Sequence, residues 1–134
     1  MTGPFVAGVG FRHGTGADEI AALIARALAL VGAGSADLAG VATAEDRASE
    51  PSIHRAAARF GLRPSPVGAA ALEARDGSVV TRSARIERLR AVGSVAEAAA
   101  LAAAGPDSRL VLPRIASGGA TCALAVPQTT KPQP

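Results

Sequence analysis

With 134 residues, 49% of them hydrophobic, the chain has the length and apolar content of one folded domain around a single core, which excludes a disordered protein. A net charge of +3 invites a nucleic-acid partner, but there is no Trp or Tyr, only three Phe can stack on bases, and the basic residues are scattered. A lone cysteine, Cys122, excludes an internal disulfide and a multi-thiol zinc site, and no apolar run reaches the roughly 18 residues of a spanning helix, so the expected compartment is the cytoplasm, with no membrane partner.

Phe5 to Val9 is a short apolar run and reads as a buried strand ending in the turn Gly10-Phe11-Arg12-His13-Gly14-Thr15. Ile20, Leu23, Ile24, Ala27, Leu28 and Val31 then repeat at helical spacing, with Thr15 as the expected N-cap, Asp18 three residues on, and Gly32 and Gly34 as stops. Leu38 to Thr43 is a second strand, and Pro51 suits the first position of a helix with Ile53, Ala57 and Phe60 on its apolar side. Pro64 and Pro66 bracket a short extended piece, Ala69 to Ala74 a helical turn, and Ile86 and Leu89 mark a further helix. Ser94-Val95-Ala96-Glu97 has the pattern of a full capping box before an alanine-rich helix that Gly105 and Pro106 end. Arg109 to Leu112 and Ala120 to Val126 are strands joined by a loop over Pro113 to Gly119. Strands alternating with helices predict an α/β fold, a single three-layer α/β/α domain over residues 1–126 with a mixed, mostly parallel sheet, followed by a disordered, solvated tail over 127–134.

Three segments carry groups with chemistry. Gly10, Arg12, His13, Gly14 and Thr15 lie between a strand and a helix start, where free N–H groups and the helix dipole favour an anion and Arg12 adds a charge. The spacing is neither G-x-G-x-x-G nor a P-loop, and a ligand-free tight turn is the other reading. Thr43, Arg47 and Glu50 follow the second strand, at the end of an open α/β sheet where binding crevices form, although a charged loop capping a helix looks the same in sequence. Ser117, Gly118, Gly119 and Thr121 precede the last strand and offer amides to a carboxylate or carbonyl oxygen, or make an ordinary hairpin turn. Of 14 basic residues only Lys131 is not arginine, and the planar guanidinium grips carboxylates in bidentate fashion. His54 is expected on an exposed helical turn, and Cys122 inside an apolar strand is expected as a core residue rather than a nucleophile.

In their order and spacing these segments resemble one family of vitamin B12 biosynthesis, CobE together with the C-terminal domain of CbiG. The matching residues are Gly10-Phe11-Arg12-His13-Gly14-Thr15, then Thr43, Arg47 and Glu50, then Val95 to Leu101, then Pro113, Arg114 and Ser117-Gly118-Gly119-Ala120-Thr121. The resemblance covers residues 5 to 126. It implies a role in building the corrin ring: CbiG-like proteins of the anaerobic pathway open a lactone on a cobalt-containing precorrin and release acetaldehyde, whereas CobE-like chains are stand-alone copies of the C-terminal part in the aerobic pathway. Two departures bear on chemistry. By this resemblance the sequence is expected to correspond to the C-terminal portion of CbiG without the N-terminal one, and Arg47 stands where the family has lysine, so that position is expected to bind charge and form no Schiff base.

The function expected is therefore binding of a corrin or precorrin intermediate through its carboxylates, with no metal and no cofactor beyond the corrinoid ligand itself, and with other cobalamin-pathway enzymes as further partners. The alternative is an enzyme acting on a precorrin, such as a lactone hydrolase, with Glu50 or His13 as base and Thr43 or Ser117 as a positioning group.

Overall fold

The computed structural model describes residues 4–90 and 92–127; from residue 128 onward the expected tail lies outside them. Among the described residues five strands and five α-helices follow in the order β1 (Phe5–Phe11), α1 (Ala17–Leu30), β2 (Leu38–Ala44), α2 (Pro51–Ala58), β3 (Pro64–Val67), α3 (Ala69–Ala74), α4 (Ala84–Arg90), α5 (Val95–Ala104), β4 (Arg109–Ala116) and β5 (Ala120–Val126). The sheet order is β3-β2-β1-β5-β4. β1, β2 and β3 are parallel, and β5 runs antiparallel to both β1 and β4, so four strands point one way and β5 alone is reversed. The mixed, mostly parallel three-layer fold expected from the alternation of elements is the one found.

Side-chain alternation along β1 explains the layers. Ala7, Val9 and Phe11 point to one face and pack with Ile20, Leu23, Ile24, Ala27 and Leu28 of α1 and Ile53, Ala56 and Ala57 of α2. The other face carries α5, with α3 beside it. There Gly8 is indispensable: a Cβ at that position would fall 1.9 Å from the Ala96 carbonyl oxygen and 2.5 Å from the Ala100 nitrogen. α5 thus lies directly on the β1 backbone, which requires its alanines, and every residue from Val95 to Leu101 is buried.

Both outer strands contain proline. Pro64 and Pro66 sit in β3 and Pro113 in β4, where one side of the ladder needs no partner. Pro113 therefore does not end its strand, as expected from sequence; it falls in an irregular stretch between Leu112 and Ile115, and β4 continues to Ala116. β1 likewise runs on through Gly10 and Phe11 rather than turning at Gly10.

Two expected caps are built differently. The N-cap of α1 is Gly16, without a side-chain bond, because the Thr15 hydroxyl instead donates to the Gly119 carbonyl at 3.0 Å. At α5 only half of the capping box forms. Ser94 Oγ accepts the Glu97 amide at 3.2 Å, but the Glu97 carboxylate turns away from the helix start. It accepts the amides of Val80 (2.7 Å), Thr81 (3.0 Å) and Arg114 (2.9 Å), tying α5 to the segment before α4 and to β4. Glu97 is fully buried. Burial would raise its pKa, but the amides of Arg114, Thr81 and Val80 and the Thr81 side chain outweigh it and hold the carboxyl below its ordinary range.

Candidate functional site

The three segments singled out in the sequence meet at one end of the sheet. The carboxyl ends of β1, β2 and β4 and the start of β5 rim a cleft of ≈ 390 Å³, roofed by α4 and reached by the first residues of α5. This is where an open α/β sheet places a ligand, beside the strand at which chain direction along the sheet switches. α1 and α2 carry the chain from β1 outward to β3, whereas β5 and β4 extend the opposite edge of β1.

Eight of the twelve expected residues line this cleft: Gly10 and Arg12 from the first segment, Thr43 and Arg47 from the second, and Ser117, Gly118, Gly119 and Thr121 from the third. The other four support its walls or lie outside. Thr15 is buried and bonds to Gly119 across the two loops. Gly14 takes a positive φ of 90° in the turn, with open space around it. Glu50 stands behind Arg47, Oε2 accepting from Nη1 at 2.8 Å, and its other oxygen lies 3.2 Å from Nδ1 of His13. His13 is 84% exposed and faces solvent.

The hydroxyls of the cleft are already engaged. Thr43 is buried and donates to the Val9 carbonyl at 2.7 Å, which leaves it a strand-to-strand tie. Ser117 donates to Glu19 Oε2 at 2.5 Å, and the Gly119 amide donates to the same oxygen at 2.6 Å. The hydroxyl of Ser117 and the amide of Gly119 hold the Glu19 carboxyl below the usual carboxylate range. Such a group is a firm acceptor and a poor base. The Ser-Gly-Gly turn is thus closed on Glu19, and the Gly119 amide is spent on the protein rather than offered to a ligand. Neither histidine reaches a nucleophile: His54 is exposed on α2, and Cys122 is fully buried under α1, its thiol pushed up to about 12 by desolvation. Among the described residues no group of three or more His, Cys, Asp or Glu side chains is placed to hold a metal.

What the cleft does present is positive charge around an apolar floor. Five arginines line it, from four chain segments: Arg12 after β1, Arg47 after β2, Arg85 and Arg90 on α4, and Arg114 on β4. No aspartate or glutamate is among the lining residues. Arg47 is paired with Glu50 and lies over the Phe11 ring, 5.9 Å from its centroid, while Arg90 makes a two-point contact with Asp46 at 2.7 and 3.1 Å. Among the described residues Arg12, Arg85 and Arg114 have no carboxylate partner. Phe11, Ile86, Leu89 and Val95 supply the apolar surface, and the positive end of the α5 dipole opens on the same space.

Arg85 and Arg90, with Ile86 and Leu89 beside them, are the site residues that sequence reasoning missed. α4 buries none of its own residues. It is held in place from outside, by the Arg90–Asp46 pair and by a pinch at its base, where Asp76 accepts the Gly93 amide at 2.8 Å and the Arg82 guanidinium at 3.0 Å. The visible signal was arginines interleaved with an Ile86/Leu89 apolar pair on one short helix, a basic amphipathic pattern. A larger depression of ≈ 490 Å³ toward the opposite end of the sheet, between β1, β2 and the end of α5, is lined by small and apolar residues and has no charged side chain. The charged side chains are in the smaller cleft.

Comparison with known proteins identifies the family and the fold. Residues 5–125 match the family model described as "Cobalamin synthesis G C-terminus". Protein CobE from Sinorhizobium is 39% identical over 126 residues, covering 94% of this chain and 82% of that one. The crystal structure of CobE, described as a protein from the cobalamin (vitamin B12) biosynthetic pathway, superposes with a TM-score of 0.89 at 29% identity over 98% of this chain and 95% of that one. The cobalamin biosynthesis protein ChiG from Agrobacterium tumefaciens gives a TM-score of 0.75 at 33% identity, covering 93% of this chain and 99% of that one. The chain belongs to the cobalamin synthesis G C-terminus family and is CobE-like along nearly its whole length.

Proposed function

We propose that the protein binds a corrin-ring intermediate of cobalamin biosynthesis, in the cytoplasm and on the aerobic route, by gripping the ring's acetate and propionate carboxylates. The observation that carries this reading is the lining of the cleft, five arginines without one acidic residue, around Phe11, Ile86, Leu89 and Val95. A flat, largely apolar ring fringed with carboxylates is complementary to that surface in both shape and charge. The names of its relatives supply the pathway, and the arginines supply the reason for the ligand.

Binding is favoured over catalysis because each candidate catalytic group is committed elsewhere. Glu50 is tied to Arg47, His13 faces solvent, and the Thr43 and Ser117 hydroxyls donate to protein acceptors. A lactone hydrolase needs a base within reach of a water on the substrate, and neither candidate base, Glu50 or His13, lines the cleft. Titration of a corrin free acid such as hydrogenobyrinic acid, followed by its visible spectrum, tests the proposal. Saturable binding at micromolar concentration is expected; an unchanged spectrum at these levels would sink it. Acetaldehyde release from cobalt-precorrin-5A is the assay in which the hydrolase reading would succeed.

A further inference from the structure

We infer that the cleft selects the free-acid form of its ring ligand, and that conversion of the peripheral carboxylates to neutral groups is what releases it. The inference rests on the proposed corrin-binding function and extends it to the charge state of the ligand. Arg12, Arg85 and Arg114 come from three separate chain segments and have no carboxylate partner among the described residues, so their countercharge is left to the ligand. Arg47 and Arg90 are each half-satisfied by an acid outside the cleft lining and keep N–H groups free for a second acceptor.

The distribution matters as much as the count. A linear polyanion needs its cations along one line, whereas these guanidinium groups enter from the ends of β1, β2 and β4 and from the roof helix, with apolar residues between them. A ligand with several carboxylates spaced around a flat perimeter meets all of them at once. An amide or ester is uncharged and offers only a neutral acceptor. Each such replacement at a contacted position exchanges a charge-assisted hydrogen bond for a neutral one, a loss of about tenfold in affinity per group.

The reaction class that consumes the bound ligand is then one that neutralises carboxylates, such as amidation by a separate enzyme in which a nucleoside triphosphate activates the carboxyl oxygen as leaving group and ammonia or an amide donor supplies the nitrogen, and its product leaves because it no longer matches the cleft. No acidic residue in the lining offers a compensating interaction to an amide N–H.

The test is a matched pair of titrations of the whole chain at two salt concentrations. One probe is a corrin bearing free acetate and propionate groups, and the other is the same corrin with those groups converted to primary amides. The expected result is tight binding of the free acid that weakens steeply with salt, and binding of the amide weaker by about tenfold for each contacted group changed. Equal affinity for the two forms would overturn selection by charge while leaving corrin binding intact. Failure of both forms to bind would overturn the inference together with the function on which it rests. Arg12→Ala combined with Arg114→Ala is expected to weaken the free acid and leave the amide's affinity little changed; equal losses for both probes would also refute charge selection.

Discussion

Replacing Glu97 by glutamine tests whether one buried carboxylate holds the cleft together. The carboxylate accepts three backbone amides, Val80 and Thr81 on one oxygen and Arg114 on the other. Glutamine keeps a single oxygen, so either the Val80 and Thr81 pair or Arg114 must face an NH₂ group, and the remaining bonds lose their charge. A hydrogen bond to a charged group contributes about 1.5–3 kcal/mol and a neutral one about 0.5–1.5. Losing one bond outright and weakening the others comes to about 3 kcal/mol. With an unfolding entropy of about 2.1 cal/mol/K per residue, that lowers the melting temperature of a chain this size by roughly 11 °C. The pH dependence carries a sign. The folded pKa of Glu97 lies below its ordinary 4.5, so the unfolded chain binds the proton more readily. The carboxylate's contribution is therefore present above about pH 4.5 and is lost as pH falls through the lower, folded value. Melting followed by circular dichroism at pH 7 and in steps below pH 4.5 should show a large gap between parent and E97Q that narrows in acid. A deficit under about 1 kcal/mol at pH 7, or a gap that widens as pH falls, would refute the account.

Further outcomes follow from the same geometry. Arg12→Ala, Arg85→Ala and Arg114→Ala should each weaken binding of a corrin free acid about tenfold in a spectral titration, with stability changed by no more than about 0.5 kcal/mol, since among the described residues none of these guanidinium groups has a carboxylate partner. Gly8→Ala should cost about 3 kcal/mol in urea unfolding, because the clash at 1.9 Å is with the Ala96 backbone oxygen and no side-chain rotation relieves it; a near-neutral effect would mean that α5 does not rest on β1 as described. Cys122, with its thiol pushed up to about 12 and no exposed surface, should resist iodoacetamide at pH 8 in the folded protein and react once urea unfolds it; rapid native labelling would contradict its burial.

The layers of the fold were legible because helical and strand periodicities are cleanly separated by Gly and Pro, and the order of elements then leaves few topologies. Legibility failed where a residue's role depended on its place in the sheet. Pro113 reads as a strand end in sequence, yet β4 is an edge strand and accommodates it in an irregular stretch. Glu97 reads as half of a capping box, and that is its local chemistry; its partners lie 16 and 17 residues away on either side, and only packing of α5 against β1 aims the carboxylate at them. Three of the four walls of the cleft were found from loop composition. The fourth, α4, was missed as a wall because it has no buried residue of its own, and its position is set by the distant Asp46 together with the Asp76–Gly93 bond across its base.

These acids share a pattern that explains why the cleft can be so basic. Glu19 holds the Ser117 hydroxyl and the Gly119 amide, Glu97 holds the Arg114 amide, Glu50 backs Arg47, and Asp46 anchors Arg90. Each carboxylate near the site is turned onto a wall from behind, and none is in the lining. The arrangement lets acids position loops and a helix without neutralising the guanidinium groups of Arg12, Arg85 and Arg114. An acidic residue placed inside the cleft would supply the missing countercharge from the protein, and ligand carboxylates would then compete with it. Thr121 is the position for that experiment: it lines the cleft, and the hydrogen bond its hydroxyl makes among the described residues is a long one of 3.4 Å to the Gly10 carbonyl. Thr121→Glu should abolish binding of a corrin free acid while Thr121→Gln, of similar size and uncharged, retains much of it. If the two variants bind alike, sterics rather than charge governs the site, and the arginines are solvated surface rather than a ligand's counterpart.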